Sequence, residues 1–369
     1  MKENLFVSAS PHITQKNGGV RRIMIDVIVS LCPVIIAATF FFGYAVLINI
    51  AVAVAACIGF ELLYDAGIKN KFKKGCLKNA SIKDGSAAVT GIILALNFPS
   101  FVKVDAWDFN FYDPRIKVPT VADMVFSFDT LILLILASLL AIVVVKMLFG
   151  GIGKNFVNPA AAGRVFVFAM VGLAAVQTVG LGLDASTGAT WLEDKVTPNG
   201  GTLLNMLIGN TGSAAVGETC AIAVLAGFVY LAARKVIDFK LPLVIVGSAF
   251  VFAILFDGLI GRLPANEILP NAAAHMLSGG LLFGAVYMST DYATSPNTDW
   301  GRAIYGVGTA LIAMLIRVFG GYPEGMSFAI LIMNIVTPLI DRYVYPRPFG
   351  YVKEKKEKKK KRDKEAAKV

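Results

Sequence analysis

The chain has 369 residues, of which 56% are hydrophobic and only 16% charged, with a mean hydropathy of +0.67. A soluble domain carries about 25% charged residues, so no part of this chain is large and polar enough to be a soluble catalytic domain, and an integral membrane protein that crosses the bilayer many times is expected. The net charge of +10 does not point to nucleic acid. Lys353–Lys368 alone holds ten Lys/Arg against four Asp/Glu, and it follows the last apolar run directly, without a folded basic face or aromatic platforms.

A helical span needs roughly 20 apolar residues, and runs of that kind recur from Met24 to Ile340. In chain order the expected spans lie near 24–42, 45–63, 86–97, 130–147, 159–178, 216–232, 241–256, 273–289, 303–319 and 326–340. The fold class is therefore an all-α polytopic membrane protein of about ten transmembrane helices. Several runs are too short to span alone. Polar backbone at membrane depth is tolerated only where it is buried in protein or lines a cavity, so Gly/Pro-flanked runs such as Ser86–Asn97 point to broken helices around a site; a tilted bundle with ragged ends is the plainer alternative.

Orientation follows from the Lys/Arg bias of short loops. Arg21 and Arg22, Lys69–Lys83, Lys146 and Lys154, then Arg234, Lys235 and Lys240, and finally the tail fall on one side if there are ten spans. Both termini are then cytoplasmic, and the loops around 98–129, 179–215 and 257–272 are external, with Arg115 and Lys117 as minor exceptions. Arg21-Arg22 acts as an orientation anchor, since no small-residue cleavage site follows. Cys32, Cys57, Cys76 and Cys220 show no C-x-x-C spacing, so neither an iron–sulfur cluster nor a zinc site is expected. His12 and His275 are not spaced as paired haem ligands.

An internal repeat is visible. Val144-Val145-Lys146-Met147-Leu148-Phe149-Gly150-Gly151 is matched by Leu315-Ile316-Arg317-Val318-Phe319-Gly320-Gly321, each run closing a long span. Five spans per unit, an odd number, make the second unit enter from the opposite face. The organisation expected is a cytoplasmic segment 1–23, a first five-helix repeat 24–178, an external loop 179–215, a second, inverted five-helix repeat 216–345 and a basic cytoplasmic tail 346–369.

Ionisable residues within or at the ends of spans are Asp26, Glu61, Lys146, Arg164, Glu218 and Arg317, which are expensive in lipid and face a bundle interior. Asp291 falls in an inner loop. In the loop after the fifth span, Asp184-Ala185-Ser186-Thr187-Gly188-Ala189-Thr190 is an open turn of small residues whose Thr190 offers a modifiable hydroxyl, or is simply an ordinary Gly/Ser/Thr turn. Asn155 and Asn158 flank the Pro159 start of a span. Their amides have the donors and acceptors to bind a ligand ring, or they cap a helix that begins with Pro.

Asp-x-x-Ser/Thr-Gly-Ala-Thr/Ser resembles the motif at which a flavin transferase attaches FMN through a phosphodiester to the last Thr. That residue is Thr190 here, with Asp184, Thr187, Gly188 and Ala189 completing the motif and Thr187 standing where the family more often has Ser. Ser10-Pro11-His12, Asp84–Gly91, Gly153–Ala160 and Thr290–Pro296 also appear in family order. From about residue 10 to 345 the chain resembles the family that holds the D-type subunit of the Rnf ferredoxin:NAD oxidoreductase and its homologue, the B-type subunit of the sodium-pumping NADH:quinone oxidoreductase. The lack of a long amino-terminal extension favours the Rnf type.

The resemblance implies a ten-span inverted repeat akin to urea transporters, covalent FMN at Thr190 and a non-covalent riboflavin near Asn155 and Asn158. Arg164, one to two turns beyond Asn158, would offset charge on the reduced ring or snorkel at a helix end. Replacing both asparagines with Leu is expected to leave the fold intact. The partners implied are the other Rnf subunits, including an external flavin-bearing subunit and a NAD-binding subunit, since no G-x-G-x-x-G fingerprint is present. The function implied is electron transport coupled to Na⁺ or H⁺ translocation across the cell membrane. The rival reading is a solute channel or secondary transporter on the same scaffold.

Overall fold

The computed structural model describes residues 19–69, 84–98, 102–104, 124–126, 128–175, 200–209, 216–218, 220–259, 264–278, 280–319 and 325–344. In chain order its helices are α1 (Val20–Phe42), α2 (Ala45–Tyr64, continued by a π-helical turn to Lys69), α3 (Ser86–Asn97), α4 (Phe128–Leu139, continued by a π-helical segment Leu140–Met147), α5 (Pro159–Ala175) and α6 (Gly200–Ile208). These are followed by α7 (Ala221–Ala233), α8 (Lys240–Leu259), α9 (Ala265–Leu277), α10 (Leu281–Phe283, continued by a π-helical turn Gly284–Met288), α11 (Asp299–Phe319) and α12 (Met326–Tyr343). Two three-residue strands, β1 (Val102–Val104) and β2 (Met124–Phe126), pair antiparallel between α3 and α4.

Among the described residues, five helices are long and apolar enough to cross a membrane: Val20–Phe42, Ala45–Ile68, Lys240–Gly258, Asp299–Phe319 and Met326–Tyr343. Ser86–Asn97, Leu131–Met147, Pro159–Ala169 and Ala221–Ala233 are shorter apolar helices. The protein is thus a helical, polytopic membrane protein. Ile36, Leu63, Val229 and Ile335 are exposed on these helices, as lipid-facing side chains must be.

Three expectations are corrected. The single span placed over 273–289 is two helices, α9 and α10, because the chain breaks at Ser278 and restarts from Gly280, which sits in the left-handed region at φ 67°, ψ 11°. The loop expected over 257–272 is mostly helix, since α8 runs to Leu259 and α9 starts at Ala265. Within the expected loop 179–215 lies α6, and the apolar span expected from 216 begins as a 3₁₀ turn, Val216–Glu218, with the α-helix starting only at Ala221.

Gly85 precedes α3 in the same left-handed conformation, φ 76°, ψ 0°. A residue with a Cβ is strained there, so glycine permits the sharp turn that starts each short helix inside the bundle. The ends of these two helices meet: Asn97, the last residue of α3, donates to Met288 Sδ at 3.6 Å and to Ile93 O at 2.7 Å.

The largest apolar core is gathered from α1, α3, α7, α10, α11 and α12, around Leu31, Ile93, Leu231, Tyr287, Tyr305 and Ile330. Helix α1 packs on α7, α2 on α3, and α8 on both α9 and α11. Lipid gives helices no hydrophobic drive to associate, so close van der Waals packing and small residues supply the adhesion.

Candidate functional site

A cavity of about 120 Å³ opens among α1, α3, α5, α7 and the segment that follows α10. That is room for several water molecules. Its walls are largely apolar, from Met24, Val27, Val89, Ile93, Leu231 and Val286, with polar groups from Ser86, Thr90, Lys146, Asn155, Thr290 and Asp291. A mostly apolar wall with a few placed polar groups is the usual make-up of a ligand site. Three motif runs that are far apart in sequence, 84–91, 153–160 and 290–296, supply residues to this one cavity.

The asparagine pair is built by a turn. Gly150, Gly151 and Gly153 all have positive φ, at 110°, 94° and 79°, and fold the chain back after α4 so that Asn155 and Asn158 reach the cavity. Asn158 Oδ1 accepts from the backbone N–H groups of Ala160 (3.0 Å) and Ala161 (3.1 Å), and its Nδ2 donates to Met288 O at 2.8 Å. Asn158 is therefore the N-cap of α5 and also ties that helix to the end of the π-helical turn after α10. Asn155, which lines the cavity, donates from Nδ2 to Val157 O and to Asp291 Oδ2, both at 3.1 Å, so both amide hydrogens are used and its side-chain oxygen is the group with acceptor capacity.

Asp291 also accepts from Ala293 N–H at 3.3 Å. Burial pushes its carboxyl above the usual carboxylate range, and the bonds from Ala293, Asn155 and Thr294 only partly oppose that.

Arg164 lies elsewhere. It is buried on α5, its Nη1 donates to Asn97 Oδ1 at 2.6 Å, and its guanidinium stands 5.6 Å from the centre of the Phe168 ring. It thus serves the carbonyl end of α3, where a cation is favoured by the helix dipole, and it is not among the residues that line the cavity. Asp184, Thr187, Gly188, Ala189 and Thr190 lie outside the described residues.

The loop-charge pattern places Lys146 among the cations that set orientation. In the structure it is buried in the π-helical end of α4, 3% exposed, with Nζ 2.9 Å from Glu61 Oε2 and 2.7 Å from Ser86 Oγ. Arg317 is also buried, and it donates to His275 O (2.6 Å) and Ser278 O (3.0 Å), the carbonyl end of α9 just before Gly280. Near it, Asp257 Oδ2 lies 3.7 Å from His275 Nε2 and accepts from Asn271 at 2.8 Å. Hydropathy identifies Glu61 and Lys146 as costly charges, but nothing local pairs residues 85 positions apart.

The profile of the NQR2, RnfD, RnfE family matches residues 6–107 and 127–350. The D-type subunit of the Na(+)-translocating ferredoxin:NAD(+) oxidoreductase complex of Acetobacterium woodii is 35% identical over 361 residues, covering 96% of this chain and 98% of the relative. The corresponding subunit of the proton-translocating ferredoxin:NAD(+) oxidoreductase complex of Clostridium ljungdahlii is 31% identical, covering 95% and 98%. That of the ion-translocating oxidoreductase complex of Escherichia fergusonii is 28% identical, covering 95% and 99%. With the family profile spanning most of its length and relatives above 30% identity matched almost end to end, the chain belongs to the NQR2, RnfD, RnfE family.

Proposed function

We propose that this chain is the flavin-carrying membrane subunit of an electron-transport complex that couples ferredoxin oxidation and NAD reduction to translocation of Na⁺ or H⁺. The observation that carries the reading is the meeting of three separate motif runs around one cavity. The near end-to-end likeness to complex subunits named for that reaction supports it. The active complex needs partner subunits, among them an external flavin-bearing subunit and a NAD-binding subunit.

Two flavins are proposed, FMN joined by a phosphodiester to Thr190 and riboflavin held without a covalent bond in the cavity. When bound they supply the electron transfer, while the chain attaches, orients and tunes them. The cavity residues fit such a ring. Apolar walls from Val89, Ile93 and Val286 suit its faces, and Asn155 Oδ1 is an acceptor for its N–H edge. Of the three ammonium donors of Lys146, Glu61 and Ser86 engage two among the described residues, which leaves one for a ring oxygen or nitrogen. Asn158 is proposed to hold the wall in place as cap and tether, and Arg164 to act on α3 instead of on the ring.

A ten-span inverted repeat is the architecture proposed to carry these groups, with both termini cytoplasmic and Thr190 external. It is supported by matching features in the two halves: a left-handed glycine before a short helix (Gly85, Gly280), a buried cation near that glycine turn or the helix that follows it (Arg317, Lys146), and an acidic residue near the end of the second helix of each half (Glu61, Asp257). In-gel flavin fluorescence of the denatured subunit tests the functional reading. A fluorescent band at the mass of this chain is expected, and a dark band from a complex that assembles normally contradicts covalent flavin carriage.

A further inference from the structure

The Glu61–Lys146 pair is in neither the flavin motif nor the asparagine pair, yet its lysine lines one end of the cavity. Glu61 is 0% exposed and Lys146 3%. Burying two charges costs several kcal/mol each even after relaxation, and a buried ion pair often does no better for stability than well-packed apolar residues. The placement is also unfavourable for α3. Lys146 Nζ sits 2.7 Å from Ser86 Oγ, the first residue of that helix, where the dipole is positive and a carboxylate would be the stabilising neighbour. A pair serving only to join helices would put Glu61 at that position. Here the carboxylate stands behind the ammonium, and Lys146, not Glu61, lines the cavity.

The π-helical geometry of Leu140–Met147 adds to this, because widening the helical turn changes which way Lys146 faces along α4. The ammonium and the start of α3 both present positive charge to that end of the cavity, with the Glu61 carboxylate 2.9 Å from the ammonium, while Asp291 lies in the polar segment beyond α10.

We infer that Lys146, clamped by Glu61 and Ser86, sets the charge at this end of the cavity and thereby the reduction potential of the flavin bound there. The inference rests on the proposed riboflavin site. An electron delivered to the ring by a one-electron donor adds one unit of negative charge to the cavity. Lys146 offsets it through space, with no bond made or broken in the pair and no proton leaving it. Glu61 opposes Lys146 while fixing its position, so the two side chains push the potential in opposite directions.

The test uses the purified whole complex carrying Lys146→Met, Lys146→Arg or Glu61→Gln. The non-covalent flavin is titrated with a one-electron reductant in a spectroelectrochemical cell, and extractable riboflavin is measured on the same samples. With riboflavin retained, Lys146→Met shifts the reduced-to-oxidised ratio about tenfold toward oxidised, the scale of one charge at roughly 10 Å in a protein medium, or ~59 mV downward for a one-electron step. Lys146→Arg stays near the parent. Glu61→Gln, which keeps a hydrogen-bond acceptor for Lys146, shifts the potential upward.

An unchanged potential in both Lys146→Met and Glu61→Gln, or shifts of the same sign, overturns the inference and leaves the pair structural. Where Lys146→Met does not assemble, the sign of the Glu61→Gln shift decides alone. Absence of riboflavin from the parent complex would instead overturn the proposed site itself, a separate and visible failure.

Discussion

The carboxamide of Asn158 donates to the carbonyl of Met288 across 130 positions of sequence, at 2.8 Å, while its oxygen holds the first free N–H groups of α5. One side chain thus fixes both the start of a helix and the segment that closes the cavity opposite it. Asn155 and Asn158 therefore have different roles, although they look alike in sequence.

Asn158→Leu removes a helix cap, costing about 0.5–2 kcal/mol, and an interhelical hydrogen bond, costing about 0.5–1.5 kcal/mol. The unfolding temperature of the detergent-solubilised protein should fall accordingly, a loss of stability that accompanies the expected retention of the fold. Asn155→Leu keeps that cap but loses the bonds to Val157 O and Asp291 Oδ2, so it too should unfold at a lower temperature, by about 1–3 kcal/mol, and it should lose extractable riboflavin. Full riboflavin in Asn155→Leu would remove Asn155 from the proposed site.

Gly227 on α7 lies where a Cβ would overlap Tyr287 Oη and come 2.5 Å from Ser30 O, the two atoms joined by the Tyr287 hydroxyl bond at 2.8 Å. Overpacking of this kind costs about 1–3 kcal/mol. Gly227→Ala is expected to lower the unfolding temperature, and adding Tyr287→Phe to recover part of the loss. Additive losses would show that the contact is not the cause.

Asp238 lies in the turn between α7 and α8 and accepts from Arg302 Nη1 at 2.7 Å. Burial works to raise its pKa, but the Lys240 N–H and the Arg302 guanidinium outweigh it and hold the carboxyl below its ordinary value of 3.8. With a depressed folded value, its contribution is fully present above about pH 4 and fades as pH falls through the folded value. The pair is partly exposed, so no more than about 1 kcal/mol is at stake. Stability measured from pH 6 down to pH 3 should decline less steeply in Asp238→Asn than in the parent. Parallel profiles would deny the pair any role.

Hydropathy alone locates α1, α2, α3, α11 and α12 to within a few residues, because each is an unbroken apolar run bounded by Gly or polar residues. It fails at 273–289. A window average does not register that Gly280 adopts a left-handed conformation, and that turn divides one apolar run into α9 and α10. Helix α6 escapes notice because Gly200–Ile208 is short and follows Pro198-Asn199 in a Gly-rich stretch. The cavity is half legible. Its three motif runs can be read locally, but their meeting, the Glu61–Lys146 pair and the turning of Arg164 toward Asn97 are long-range contacts with no local signature.

The proposed topology is checked by labelling from outside intact cells, in a background lacking Cys32, Cys57, Cys76 and Cys220. A cysteine at position 187 should react with a membrane-impermeant maleimide, and one placed within Lys353–Lys368 should not. The reverse pattern would invert the orientation read from the loop charges.

The most direct test of flavin carriage is peptide mass spectrometry on the subunit from the parent complex and from Thr190→Val, which removes the hydroxyl while keeping the side-chain shape. An FMN-sized addition is expected on the peptide holding Asp184–Thr190 in the parent and none in the variant. A parent peptide without that addition, or a variant chain that still carries FMN, would contradict it.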